Sequence, residues 1–110
     1  MGTKGARGTH AAAAAALHFA DRLAPLGTTS TSMFGGHGLF AEGIMFGMVT
    51  SDGALALKAD DTTRERIETE GAERTGKMPY WRVPASVMDD DDALLAWARE
   101  ALGVARAAKR

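Results

Sequence analysis

Cysteine is absent from this sequence of 110 residues. Its absence excludes disulfide bonds, thiolate metal sites and cysteine nucleophiles. Because small secreted domains commonly need disulfides, the sequence predicts a cytoplasmic protein. Long apolar runs are absent as well, since the alanines at 11–16 are weakly hydrophobic and charged residues soon follow them. A membrane-spanning helix needs roughly 20 apolar residues, so we expect no association with a membrane.

An excess of charge of one sign is also lacking, because 13 basic and 14 acidic residues leave a formal net charge of −1. Proteins that bind nucleic acids usually carry a basic face or stripe. Here the basic residues are scattered, apart from short groups at the two ends of the chain. Such groups are typical of solvated tails. We therefore expect no direct sequence-specific nucleic acid binding.

The overall composition is that of an ordinary globular domain, with 45% hydrophobic and 25% charged residues. A chain of this length suits one domain with one core. The Gly-rich start predicts a disordered N-terminal tail over residues 1–9. A single domain over residues 10–106 and a C-terminal tail over residues 107–110 are predicted to follow.

Three segments are predicted to form helices, the first and the third from the apolar spacing of amphipathic helices. The first is predicted to begin at His10. The second spans about 62–70 after a cap at Asp60 or Asp61, and the spacing of four residues predicts that Arg64 pairs with Glu68 and Arg66 with Glu70 on its surface. The third opens with Asp89–Asp92, whose charges complement the positive end of a helix dipole.

Between the first two helices the pattern changes to the period of two that strands show. Three antiparallel strands form a predicted meander, at about 32–41, 44–50 and 54–59. A further edge strand is predicted over 78–83, because prolines bound it. The order α-β-β-β-α-β-α, with helices flanking one antiparallel sheet, predicts an α+β domain.

Apolar side chains occupy both faces of the second predicted strand. Strict alternation places Ile44, Phe46 and Met48 on one face, and Met45 and Val49 on the other. The first helix is mostly alanine and the second offers only Ile67 as a strongly apolar residue, so part of the sheet is expected to stay uncovered. Uncovered apolar surface often marks an interface, and twofold dimers are the commonest oligomers. The sequence therefore predicts a homodimer built on an exposed sheet edge or sheet face.

The segment 35–38 (Gly-Gly-His-Gly) has the composition of a phosphate-binding loop. Such a loop leads from a strand into a helix, whereas here another predicted strand follows, with no Lys-Ser or Lys-Thr pair. The glycines instead indicate a bulge, a sharp bend or a close approach of neighbouring backbone. The three histidines, His10, His18 and His37, lack the spacing of a metal site. His37 lies among glycines and is a candidate interaction residue.

The acidic run Asp89–Asp92 does not match a calcium loop, whose ligands alternate around a turn that contains glycine. Helix capping is the better interpretation of this run. No pairing of a nucleophile with a base, and no plausible pair of catalytic acids, is found in the sequence. We therefore predict no catalytic residue, no cofactor and no metal, and hence a protein that is not an enzyme.

The segment Tyr80-Trp81-Arg82 is the most distinctive in the chain. On a strand its side chains alternate, so the simplest interpretation buries Trp81 with Trp97 and exposes Tyr80 and Arg82. Yet Tyr, Trp and Arg are enriched at the centres of protein interfaces. The candidate interaction residues are therefore His37, Tyr80, Trp81 and Arg82.

Five segments, spaced over about residues 12–106, carry a resemblance to a known family: Met33–Phe40, Gly43–Phe46, Leu55–Lys58, Met78–Pro84 and Leu94–Arg99. Together they resemble the TfoX (Sxy) N-terminal domain family. The resemblance implies an α+β fold similar to that of type III secretion chaperones, often dimeric. It also implies a relation to regulators of natural competence, which act with a cyclic-AMP-responsive transcription factor. Full-length competence regulators have a further C-terminal helical domain, so this chain is expected to be a stand-alone domain.

Two functions remain open at this point. The leading hypothesis is a non-catalytic regulatory or protein-interaction module that works as a homodimer with a further, unknown protein partner. The alternative is a small-ligand-binding domain that uses the Gly35–His37 region and the Tyr80–Arg82 strand.

Overall fold

The computed structural model describes residues 4–33 and 35–109. Its helices and strands are, in chain order, α1 (Lys4–Arg22), β1 (Thr29–Met33), β2 (Gly36–Ala41), β3 (Ile44–Val49), β4 (Leu55–Lys58), α2 (Asp61–Thr69), β5 (Glu73–Arg74), β6 (Tyr80–Arg82), α3 (Ala85–Met88) and α4 (Asp91–Lys109). The strands form one antiparallel sheet in the order β1-β2-β3-β4-β6-β5. The predicted α+β class is confirmed. Over the same residues no helix is long and apolar enough to cross a membrane.

Two strand predictions were wrong. The segment predicted as one strand over 32–41 contributes to two strands, β1 and β2, that pair as a hairpin. The strand β6 does not lie at the edge of the sheet, because β5 pairs with its outer side. Both errors have one cause: β1 is nearly all Thr and Ser and β5 has two residues, so neither carries the apolar alternation that identifies a strand.

The first helix also begins earlier than predicted, at Lys4 rather than His10. The predicted tail over residues 1–9 falls partly on residues 1–3, which lie outside the described residues. From Lys4 onward the chain is helical, which the alanine-rich sequence favours because alanine has the highest helix propensity.

The core lies between one face of the sheet and the helices. Helix α1 packs on β1 and β2, while α4 packs on β3 and β4. The largest fully buried side chains are Phe46, Leu23, Leu39, Leu94 and Val49. Trp81 and Trp97 join the same core, as the sequence predicted, and Ile67 is the buried residue of α2.

A β-bulge in β3 changes which side chains face this core. Leu39 is opposite Gly47, but the next residue of β2, Phe40, is opposite Met45, so Phe46 is an extra residue without a partner. After the extra residue the alternation restarts, and Met45 and Met48 share one face. The predicted grouping of Phe46 with Met48 was therefore wrong.

The second helix begins with a capping box, in which the Asp60 carboxylate accepts hydrogen bonds from the backbone N–H groups of Thr62 and Thr63 at 3.0 and 2.8 Å. In return the Thr63 hydroxyl accepts from the backbone N–H of Asp60 at 3.0 Å. The hydrogen bonds to its carboxylate, above all from the Thr63 backbone, lower the pKa of Asp60 below its ordinary 3.8.

We expect Asp60→Ala to lower the free energy of unfolding by about 0.5–2 kcal/mol, the usual value of an N-cap. Because the folded pKa is the lower one, the charge contribution is present above pH 3.8 and disappears as the pH falls through the folded pKa. Asp60→Asn is the control, since it keeps the accepting oxygen and removes the titration. Denaturant unfolding between pH 2 and 6 measures both variants, and an Asn variant as unstable as the Ala variant would contradict the cap.

Candidate binding groove on the open face of the sheet

The face of the sheet opposite α1 and α4, here called the open face, carries a second set of apolar side chains. The register places Phe40, Met45, Met48 and Tyr80 on it. Met33 lies there too, because a Cβ atom added at Gly38 would be 3.1 Å from Met33 Cε and 2.9 Å from Phe40 Cε1. Most of these side chains are only partly buried. The sheet therefore has apolar surface on both sides, and helices cover one of them.

A cavity of about 540 Å³ lies on the open face. Four methionines line it, from β1, β3 and the loop between β5 and β6: Met33, Met45, Met48 and Met78. Tyr80 also lines it, together with Thr75 and Gly76 of the same loop, and the backbone N–H of Thr75 donates to the carbonyl oxygen of Tyr80 at 2.8 Å. This cavity, with its four methionines and Tyr80, is here called the methionine groove.

The glycines of the 35–38 segment allow β2 to lie close against β3 beside the groove. Gly35 has a φ of 79°, a conformation that favours glycine, and it precedes β2. A Cβ atom at Gly36 would lie 2.2 Å from the carbonyl oxygen of Val49. The predicted close approach of neighbouring backbone is thus found between β2 and β3.

A second cavity, of about 350 Å³, adjoins the groove at the end of the sheet where β4 stops. Met45 and Tyr80 line both cavities. The second cavity is also lined by Lys58 of β4 and Lys109 of α4, and the Lys58 ammonium lies 5.8 Å from the centre of the Tyr80 ring. Burial raises the pKa of Tyr80 above its ordinary 10.0, so its hydroxyl is protonated at neutral pH.

The four candidate interaction residues do not form one site. His37 and Tyr80 both line the methionine groove. Trp81 lies on the helix side of the sheet, where its indole N–H donates to Glu68 at 2.6 Å. Arg82 is exposed and pairs with Asp52 at 3.3 Å.

The predicted exposure of Tyr80 was wrong, since only 7% of this residue is accessible to solvent. Lys58 lies over its ring, and the residue also faces the loop that precedes it. The alternation of side chains along β6 predicts neither the contact with Lys58 nor the contact with this loop. The methionines of the groove were missed for the same reason, because they come from separate segments that only the fold brings together.

The acidic run Asp89–Asp92 joins two helices: Asp89 follows the end of α3, and α4 begins at Asp91. The Asp90 carboxylate accepts from the backbone N–H of Ala93 at 3.1 Å, which caps α4. Asp91 pairs with Arg22 at 2.8 Å and ties α4 to the end of α1. Within the described ranges no three His, Asp or Glu side chains come together as a set of metal ligands.

Two comparisons with known proteins bear on the identity of the chain. A search of curated proteins finds no significant match. The family model described as the TfoX N-terminal domain matches residues 21–105, which include the entire sheet, α2, α3 and most of α4. The chain therefore belongs to the TfoX N-terminal domain family.

Proposed function

We propose that this chain is a non-catalytic regulatory module of the cytoplasm that works as a homodimer, assembled by pairing of β1 with β1 of a second copy. One observation carries the proposal: β1 is an edge strand of five residues, Thr-Ser-Thr-Ser-Met, without charge or proline. Natural proteins usually protect such edges with lysine, proline or a bulge. An unprotected edge offers its backbone groups to another strand.

The other edge of the sheet is unsuited to this role. It is formed by β5, which has two residues, Glu73 and Arg74, both charged and exposed. Very short and charged edge strands resist pairing with another chain. The two edges therefore differ, and β1 is the better surface for a twofold contact.

An antiparallel pairing centred on Thr31 makes β1 complementary to itself. Thr31 would face Thr31 of the second copy, Ser30 would face Ser32, and Thr29 would face Met33. Cross-strand Thr and Ser pairs stabilise antiparallel sheets, and no like charges meet. The result is one continuous sheet through both copies, with the two open faces on the same side.

The regulatory part of the proposal rests on family membership and on the relation to competence regulators that the resemblance implies. A link to natural competence and transcription, through a further protein partner, is consistent with a net charge of −1, which does not favour direct binding to DNA. In this proposal the module acts by contacting other proteins.

Light scattering at micromolar concentration tests the dimer. We expect about twice the chain mass of 11.6 kDa for the natural sequence. Thr31→Lys should give a folded monomer, because two lysines would face each other across the twofold axis and like charges oppose pairing. Thr69→Lys, on the exposed surface of α2, is the matched control and should leave the mass unchanged.

A mass of 11.6 kDa that does not depend on concentration would overturn the dimer. A dimer that survives Thr31→Lys would overturn the assignment to β1. Circular dichroism of each variant separates these results from a loss of fold.

Small-ligand binding is a second candidate function, favoured by a separate observation. The groove brings Gly36 and His37 together with Tyr80, so part of each region named in the alternative hypothesis lines one cavity. Its volume of about 540 Å³ lies within the range of about 300–1,000 Å³ that is typical of ligand sites.

A further inference from the structure

We infer that the methionine groove binds a small amphiphile with an anionic head group, whose apolar chain lies along β3 and whose head contacts Lys58 and Lys109. The inference deepens the second candidate function, on which it rests. It does not depend on the dimer, since every contact lies within one copy of the chain.

The apolar part of the site matches a flexible chain. Methionine side chains are unbranched and polarisable, and they adapt to apolar partners of varied shape. Four of the chain's six methionines line this one cavity. A fifth, Met88 of α3, packs against the core on the other side of the sheet.

The site extends from one end of β3 to the other. Thr50 and Ser51, just after β3, line the methionine groove, while Gly43 and Ile44, at the beginning of β3, line the second cavity. Six residues of a strand span about 20 Å. The two cavities meet at Met45 and Tyr80, so an extended molecule reaches from the methionines to the lysines.

The second cavity supplies the charge complementarity. None of the carboxylates in the described part of the chain forms a salt bridge with Lys58 or Lys109. The acidic residue of the adjacent β2–β3 turn, Glu42, is already paired with Arg106. Two ammonium groups in a cavity that adjoins the apolar groove favour a carboxylate or phosphate head, and the protonated Tyr80 hydroxyl offers a further donor.

Methyl NMR of protein labelled at methionine tests the apolar part, with dodecanoate as the probe below its micelle concentration. We expect the methyl signals of Met33, Met45, Met48 and Met78 to shift in a saturable way. The signal of Met88 is the internal control and should not move. A shift of the Met88 signal as large as those of the four groove methionines would indicate general detergent action and would overturn the inference.

Two comparisons test the head group. Dodecanol has the same chain without a charge and should bind about two- to thirtyfold more weakly than dodecanoate, because each of the two exposed ion pairs contributes about 0.2–1 kcal/mol. The double variant Lys58→Gln with Lys109→Gln should lose this difference, whereas Lys58→Arg with Lys109→Arg should keep it. The double variant Arg64→Gln with Arg99→Gln, at sites on α2 and α4 that line neither cavity, controls for the loss of two positive charges.

The outcomes separate the inference from the function on which it rests. Equal binding of dodecanoate and dodecanol would overturn the anionic head group and leave small-ligand binding in place. Binding of neither probe would overturn both. The light-scattering result for the dimer is unaffected in either case.

Discussion

Phe46→Ala is expected to lower the free energy of unfolding by about 3–5 kcal/mol, whereas Met48→Ala should cost about 1 kcal/mol or less. Phe46 is completely buried between the sheet and the helices, so its truncation leaves a cavity in the core. Met48 is only partly buried, on the open face, where solvent or a neighbouring methionine fills the space.

The contrast between these two residues tests the β-bulge directly. Strict alternation along β3 would place Phe46 and Met48 on the same face and predict similar losses. The register instead puts Phe46 on the helix side and Met48 on the open face. Chemical denaturation at one fixed protein concentration measures the losses. Losses within about 1 kcal/mol of each other would contradict the bulge.

Glutamate substitutions should likewise have different effects on the two faces of the sheet. Val49→Glu should unfold the chain, because Val49 is completely buried and an unpaired carboxylate in the core is very costly. Met45→Glu and Met48→Glu should both leave the chain folded, since both side chains lie on the open face.

Gly36→Ala and Gly103→Ala are expected to change stability in opposite directions. The added methyl group at Gly36 would lie 2.2 Å from the Val49 carbonyl oxygen, so β2 and β3 must separate. We expect a loss of about 1–3 kcal/mol, the usual cost of overpacking. At Gly103, within α4, no atom beyond the adjacent residues and the helix's own nearby backbone lies within 4 Å of the added methyl group. There the higher helix propensity of alanine should add about 0.5–1 kcal/mol.

The two glycine variants control for each other, because both introduce the same methyl group. Thermal and denaturant unfolding of the two proteins under one set of conditions gives the signs. A neutral or stabilising Gly36→Ala would show that the close contact between β2 and β3 is absent. A destabilising Gly103→Ala would show that a side chain at position 103 of α4 meets a neighbouring part of the protein, contrary to the space found there.

Local features were predictable from the sequence because the partners lie a few residues apart. The Asp60 cap, the buried Ile67 of α2 and the pairing of Arg66 with Glu70 at 3.1 Å all follow from spacing within one helix. The α+β class follows in the same way, from the change between periods of 3.6 and 2 along the chain. The other predicted pair of α2, Arg64 with Glu68, is not found. Arg64 pairs with Asp61 at 3.9 Å, and the Glu68 carboxylate accepts from the Trp81 indole N–H at 2.6 Å.

The tertiary structure alone decided which side chains meet across segments. The bulge at Phe46 depends on how β2 aligns with β3, and it reverses the face of Met48 without any local signal in the sequence. The burial of Tyr80 depends on Lys58, which lies 22 residues earlier in the chain and beside it in the sheet. The methionine groove likewise needs β1, β3 and the loop before β6 in their final places. Periodicity reports the environment of one segment, whereas a binding surface is set by the register between segments.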